Sequence, residues 1–172
     1  MKLPSMRIPL LLAGAAAAGA IAVAAAGGFS PHDAAPGVPY TVLDGTRLHT
    51  EQWRGKVVLV NFWATSCTIC VQEMPQLAAL HDKLKARGFE TLAVSMRYDP
   101  PSAVVDFAES RHLPFGVAID NTGAIAKAFG DVQVTPTTLL IDKRGRIVER
   151  IVGTPDFVAL NAQIERLLAA PA

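Results

Sequence analysis

Two cysteines separated by two residues are the side chains whose type and spacing most directly indicate chemistry. Cys67 and Cys70 are the only cysteines of the 172-residue chain, so they cannot build the framework of several disulfides that stabilises small exported domains. A disulfide between them would also close too short a loop to restrict the unfolded chain much. We therefore expect the pair to react rather than to stabilise the fold.

The flanking sequence predicts where the pair lies. Val57–Trp63 is a nearly continuous apolar run, typical of a central strand covered on both faces. Beyond Cys70, apolar residues recur at helical spacing until Gly88 stops the helix. Cys67 would then lie at a helix N-terminus, where free N–H groups and the helix dipole lower a thiol pKa. This predicts Cys67 as the nucleophile and Cys70, one turn further in, as the resolving thiol.

The rest of the chain alternates between helix and strand patterns. We predict strands over Glu90–Met96, Phe115–Ile119, Thr137–Ile141 and Arg146–Val152, and helices over Ala103–Arg111, Ala124–Phe129 and Pro155 to about Ala169. A turn at Lys143–Gly145 would join the last two strands, and Thr154–Pro155 would cap the last helix. The order predicts an α/β fold with a mixed central sheet and helices on both faces.

The N-terminus has the pattern of an export signal. Lys2 and Arg7 precede 19 residues without a charge, 8–26, which is long enough to span a bilayer. Ala24–Ala26 offers a small-residue cleavage pattern, but the length favours retention as an anchor. Under the positive-inside rule, either outcome places the rest of the chain outside the cytoplasm.

These features divide the chain into three parts. We predict a signal-anchor or signal peptide over 1–28, a flexible tether rich in Gly, Pro and Ala over 29–38, and one domain over 39–172. The 16 basic and 15 acidic residues nearly balance, so no nucleic acid partner is expected.

Several motifs carry a resemblance to a known family. Gly55–Pro75 (GKVVLVNFWATSCTICVQEMP) resembles the active-site region of thioredoxin-like proteins, and is most similar to the membrane-anchored TlpA/ResA-type group. Thr135–Thr137 matches the family's cis-proline loop, and 142–152 matches its hairpin. The resemblance covers about 38–169 and implies a thioredoxin fold, with an inserted helix-strand unit at about 101–119 that is typical of this group.

The resemblance also implies catalytic roles beside the two cysteines. Relatives carry a glutamate at the position of Glu73 that is implicated in tuning the cysteines, although a solvated helix glutamate is the alternative. Asn61 stands where thioredoxin has a buried aspartate, and an amide cannot exchange protons, so another group must do so. Pro136 is expected in the cis form beside Cys67, the alternative being an ordinary proline at a strand start. Pro75 should kink the helix.

Five residues are predicted to contact substrate: Trp63, Ser66, Thr68, Ile69 and Thr135. Ser66 stands where relatives usually have tryptophan, which indicates a more polar docking surface. Thr68 and Ile69 match neither the Gly-Pro of thioredoxin nor the Pro-His of strong oxidants, so they leave the reduction potential unassigned.

The resemblance implies a periplasmic, membrane-tethered disulfide reductase that acts in cytochrome c maturation or copper-protein assembly. Its partners would be protein thiol or disulfide substrates and a transmembrane thiol reductase that donates electrons. No metal and no cofactor beyond the redox-active disulfide is expected. Two alternatives are a Cu(I) metallochaperone that uses both thiolates and a thiol peroxidase, which is disfavoured because Ala64 stands where such enzymes place a threonine.

Overall fold

A five-stranded mixed sheet forms the centre of the structure, a computed structural model that describes residues 33–172. The predicted anchor and the first part of the predicted tether lie outside the described residues. The elements are β1 (Pro39–Thr41), β2 (Arg47–His49), β3 (Val57–Trp63), α1 (Thr68–Leu84), β4 (Phe89–Ser95), α2 (Pro101–Ser110), β5 (Gly116–Ile119), α3 (Ala124–Ala128), β6 (Thr137–Ile141), β7 (Ile147–Val152) and α4 (Phe157–Ala169). The predicted strands β3 and β6 are confirmed with these bounds.

The strand order places the cysteines and the proline loop at one edge of the sheet. The order is β5-β4-β3-β6-β7, in which β3, β4 and β5 are parallel and β6 and β7 are antiparallel to their neighbours. All seven residues of β3 are buried, as expected for a strand covered on both faces. Because Phe62 of β3 pairs with Thr137 of β6, the segment after β3 and the segment before β6 meet. Cys67 and Pro136 belong to these two segments.

Helices cover both faces of the sheet, as predicted. On one face, α1, α2 and α4 pack on a core that includes Leu59, Leu77, Val104 and Ile164. The inserted unit predicted near 101–119 is present as α2 and β5. On the other face, α3 and the N-terminal segment cover a second apolar core, whose members include Tyr40, Trp53, Val60, Phe62 and Phe129.

The chain joins the domain earlier than the sequence predicted. Ala35 N donates to Gly145 O at 2.8 Å, and Ile147 N donates to Asp33 O at 2.8 Å. Asp33 and Ala35, expected to belong to the tether, therefore hydrogen-bond to the hairpin formed by β6 and β7, and Pro36 and Val38 hydrogen-bond to Thr50. The small β1–β2 sheet that follows was not predicted. Within residues 33–172, no helix is long and apolar enough to cross a bilayer.

The predicted cap of the last helix is wrong. Asp156, not Thr154–Pro155, caps α4, and its Oδ1 accepts hydrogen bonds from Val158 N at 2.9 Å and Ala159 N at 3.1 Å. An aspartate satisfies two of the free N–H groups at a helix start and places negative charge at the positive end of the dipole.

Candidate active site

The cysteine pair lies where β3 passes into α1. Cys67 is the N-cap of α1 and forms a disulfide with Cys70, with a Cα–Cα distance of 5.2 Å. Cys70 is fully buried, whereas Cys67 is partly exposed. A partner molecule can therefore reach the sulfur of Cys67 but not that of Cys70, which is the arrangement that the predicted roles require.

The N-cap position also provides stabilisation for a thiolate. Cys70 N donates to Cys67 Sγ at 3.3 Å, while Cys67 O accepts the first helical hydrogen bond, from Val71 N at 3.1 Å. After reduction, the same backbone N–H group and the dipole of the 17-residue helix would favour negative charge on Cys67. The pKa of this thiol is thus expected below that of a free cysteine.

Glu73 is buried beneath the first turns of α1, so the alternative of a solvated surface glutamate is wrong. Its side chain is 2% exposed, and Oε1 accepts a hydrogen bond from Asn61 Nδ2 at 3.0 Å. Asn61 Nδ2 also donates to Thr138 Oγ1 of β6 at 3.1 Å. Burial raises the pKa of Glu73 to about 7, and the hydrogen bond from Asn61 opposes this shift only in part.

The hydrogen bonds of Asn61 place the exchangeable proton on one oxygen of Glu73. Oε1 accepts from the amide in both protonation states, so a proton added to the carboxyl group resides on Oε2. This atom is buried and has no hydrogen-bond partner among residues 33–172. A carboxyl group with a pKa near 7 can donate or accept a proton under neutral conditions.

The proline loop lies at the same end of the sheet as the cysteine pair, because Thr137, which follows Pro136, pairs with Phe62 near the end of β3. The Thr135–Pro136 peptide bond is cis, as predicted. Pro136 is buried, and its carbonyl accepts a hydrogen bond from Gly153 N at 2.8 Å, which ties the loop to the end of β7. Thr135 remains partly exposed at the edge that also carries Cys67.

Two functional candidates in the loop between β4 and α2 were missed by the sequence analysis. Asp99 is 4% exposed and accepts hydrogen bonds from Thr65 N at 2.7 Å and Thr65 Oγ1 at 2.5 Å. Tyr98 Oη lies 3.4 Å from Thr135 Oγ1. One loop thus contacts both the segment before Cys67 and the proline loop. No spacing pattern predicts contacts between residues 34 or 37 positions apart in the chain.

The structure separates Trp63 from the other predicted substrate contacts. Ser66, Thr68 and Ile69 are exposed around the disulfide, with Ile69 at 50%. Trp63 is fully buried and packs on Phe107 of α2, with ring centroids 5.1 Å apart. The prediction that Trp63 contacts substrate is wrong, because its position on the inner face of β3 turns the indole into the core. Substrate contact by the exposed residues stays a prediction.

Comparison with known sequences gives consistent matches over this domain. The Redoxin family matches residues 30–164. The thiol-disulfide oxidoreductase ResA of Bacillus thuringiensis subsp. konkukian is 38% identical over 133 residues, which are 77% of this chain and 76% of that protein. ResA of Geobacillus kaustophilus is 39% identical over 133 residues, with 77% of this chain and 75% of that protein covered.

Solved structures give the same result at the level of the fold. A Chlorobium tepidum protein assigned as the thiol:disulfide interchange protein DsbE superposes with a TM-score of 0.75 and 30% sequence identity. The match covers 82% of this chain and 99% of that chain. The inserted unit and the cysteine-bearing helix both fall within residues 30–164, which the Redoxin family matches.

Proposed function

Because the chain belongs to the Redoxin family and is a thiol-disulfide oxidoreductase of the ResA type, we propose that it reduces disulfides in protein substrates. The observation that carries this proposal is the unequal exposure of the two cysteines at the start of α1. Cys67 can be attacked or can attack from solvent, while Cys70 can react only with the sulfur of Cys67.

The reaction proceeds through one mixed disulfide. In the reduced protein, the Cys67 thiolate attacks a substrate disulfide, so that a bond forms between Cys67 and one substrate sulfur while the other leaves as a thiolate. Cys70 then attacks Cys67, the mixed disulfide breaks, and the second substrate thiolate leaves. The dithiol supplies two electrons and the substrate thiolates take up two protons. The protein ends in the disulfide state seen here.

Glu73 is the group we propose for proton transfer. The buried Cys70 thiol must lose its proton before it attacks, and Glu73 lies one helical turn further along the same helix. With a pKa of about 7, its ionised form is available to accept that proton near neutral pH. Asn61 would hold Oε1 so that Oε2 remains the reactive oxygen.

Location and substrates belong to the same proposal. Lys2, Arg7 and the uncharged run 8–26 support an anchor in the inner membrane, with the domain on the periplasmic side. A reductase in that compartment needs electrons from the cytoplasm, so we propose a transmembrane thiol reductase as donor. The proposed substrates are cysteine pairs of apocytochromes c, or of copper proteins before metal loading, as the resemblance to the TlpA/ResA-type group implies.

Single cysteine variants test the roles. Cys70→Ser should accumulate mixed disulfides on Cys67 in periplasmic extracts, because the resolving step is lost, whereas Cys67→Ser should trap none. Non-reducing gels of alkylated samples measure both. The direction of electron transfer, from the protein to the substrate, is tested by mixing the reduced protein with a disulfide-containing apocytochrome c peptide. The peptide thiols that form are then counted. Equal trapping by both variants, or no peptide reduction, would contradict the proposal.

A further inference from the structure

A groove of about 350 Å³ runs between α1 and α2, next to the redox pair. It has no role in the chemistry described above. Helix α1 lines one side and the end of the inserted helix α2 lines the other. The principal lining residues are Val71, Met74, Pro75, Ala78, Phe107 and Arg111.

The groove combines apolar walls with one cation. Five of the six side chains named are apolar, and the sixth, Arg111, has its guanidinium 5.8 Å from the centre of the Phe107 ring. Among residues 33–172, no carboxylate forms an ion pair with Arg111. An exposed guanidinium held at the side of an apolar groove is a site for a carboxylate on a segment with large apolar side chains.

The groove begins within reach of a substrate attached to Cys67. Val71 N is hydrogen-bonded to Cys67 O, so the groove starts one helical turn from the nucleophile. Ala78 lies seven residues further, or roughly 10 Å at 1.5 Å per residue. An extended peptide advances about 3.3 Å per residue. The groove therefore runs alongside the second to about the fifth residue from a substrate cysteine.

We propose that this α1–α2 groove binds the segment of a protein substrate that flanks its reactive cysteine, with large apolar side chains in the groove and a carboxylate paired with Arg111. The inference rests on the proposed reduction of protein disulfides and adds the sequence class of the substrate. Arg111 also follows the C-terminus of α2, where a cation interacts favourably with the helix dipole. A purely structural role is therefore the alternative that the experiment must separate.

The experiment uses the reduced full chain in detergent and three peptides with one disulfide each. The peptides carry leucines at the second and third positions from the cysteine and differ only at the fifth, which is Glu, Gln or Lys. The neutral small disulfide hydroxyethyl disulfide reports reactivity without groove binding. We expect the Glu peptide to react about tenfold faster than the Lys peptide, which corresponds to ~1.4 kcal/mol.

Variants then test which residues cause the preference for the Glu peptide. Arg111→Gln should bring the rates of the Glu and Lys peptides to within about twofold of each other, and Arg47→Gln, on β2, should leave the ratio unchanged. Ala78→Leu fills the groove and should lower the rate of every leucine peptide relative to hydroxyethyl disulfide. Ala79→Leu, at the exposed neighbouring position of α1, is the matched control and should not.

The possible failures are distinguishable. If no disulfide is reduced, hydroxyethyl disulfide included, the proposed function itself fails. If all three peptides react at one rate while hydroxyethyl disulfide is reduced normally, the groove proposal is overturned and the proposed function stands. A change in melting temperature in Arg111→Gln with an unchanged peptide ratio would assign Arg111 the structural role, and so would also overturn the groove proposal.

Discussion

At the turn between β6 and β7, the polar groups at the end of the sheet are satisfied by hydrogen bonds. Asp142 is 6% exposed and accepts from the backbone N–H groups of Arg144 at 3.0 Å and Arg146 at 2.9 Å, and from the Arg146 guanidinium at 2.7 Å. Lys143 Nζ donates to the carbonyl groups of Leu168 and Ala170 at the end of α4. Hydrogen bonds at this end of the molecule thus join the β6–β7 turn to the end of α4.

The opposite end, around the disulfide, is different. Five buried side-chain polar atoms have no hydrogen-bond partner among residues 33–172, and four of them lie near the carboxyl ends of β3 and β4 or on the start of α1. They are Asn61 Oδ1, Trp63 Nε1, Ser95 Oγ and Glu73 Oε2, and the fifth atom, Glu149 Oε2, lies on β7. A buried polar group without a partner costs about 1–3 kcal/mol of folding free energy. The four atoms at the redox end therefore stabilise the fold less than the hydrogen-bonded groups at the hairpin end do.

The difference teaches where stability and reactivity reside. In folded proteins, buried polar groups usually have hydrogen-bond partners, and the exceptions concentrate at functional sites. Substitutions at the hairpin end should therefore change the free energy of unfolding and leave thiol chemistry unchanged. At the redox end, removing a polar group should change thiol chemistry, and removing the charge of Glu73 should also raise the free energy of unfolding.

The largest expected effect is that of Glu73→Gln. Glu73 has a pKa of about 7 in the folded protein against 4.5 as its ordinary value, so between these pH values the folded state holds a proton that the unfolded state has lost. Stability from this group is present below pH 4.5 and declines as the pH rises to 7. At pH 8, Glu73→Gln should be more stable than the parent by up to about 3 kcal/mol.

Urea unfolding at pH 4.5 and pH 8 measures this difference. The exposed helix glutamate variant Glu109→Gln serves as control and should change neither value. The thiolate titration of reduced Glu73→Gln should also move to lower pH, because a carboxylate beside the cysteines disfavours thiolate formation. An unchanged titration together with unchanged stability at both pH values would show that Glu73 does not ionise beside the cysteines.

Asp142→Ala should produce the next largest effect, at the other end. It removes a buried charged acceptor of several hydrogen bonds and should lower the free energy of unfolding by about 2 kcal/mol. The rate of hydroxyethyl disulfide reduction should remain the same. Asp82→Ala breaks only an exposed ion pair with Lys85 and should cost less than ~1 kcal/mol. A slower reduction rate in Asp142→Ala would contradict the separation between the two ends.

Asp99→Ala should have the smallest effect on stability, about 1 kcal/mol, since it leaves the Thr65 N–H unpaired. Because the segment before Cys67 would be less firmly held, the rate of Cys67 with hydroxyethyl disulfide should fall by up to about tenfold. Asp99→Asn should restore both values, because an amide can accept from Thr65 N and donate to Thr65 Oγ1. If Asp99→Asn is as slow as Asp99→Ala, the charge of Asp99 matters rather than its position.

The sequence predicted the parts of the fold that local patterns encode. The patterns of β3 and β6 gave the observed bounds, and the other predicted strands and helices after α1 differ by no more than two residues at either end. Helix α1, predicted to continue to Gly88, ends at Leu84 and is followed by a 3-10 turn over Lys85–Arg87. The predicted turn at Lys143–Gly145 is also present, and Gly145 adopts a φ of 74°, which favours glycine. The β1–β2 pair was missed because its two strands have three residues each, too few for a periodic signal.

The site was predicted only in part, since some of its geometry depends on contacts between distant segments. Cys67 and Cys70 follow from spacing and from their place before a helix. The surroundings of Glu73 depend on Asn61, which lies 12 positions from Glu73 and 77 positions from its second partner, Thr138. No sequence pattern predicts such contacts. For the same reason Trp63 was predicted to contact substrate, and Asp99 and Tyr98 were overlooked.

The hydrogen bonds that the N-terminal residues of the domain form with the hairpin have a consequence for how the domain would be oriented at a lipid surface. Asp33 and Ala35 are held beside the β6–β7 turn, and the seven residues of β3 separate that turn from Cys67 by roughly 20 Å. With residues 1–28 as the anchor that we propose, the lipid headgroups would lie nearest the turn and the disulfide would face the aqueous phase. A soluble substrate could then approach Cys67 from bulk water, whereas an electron donor within the bilayer would require the domain to tilt about its point of attachment.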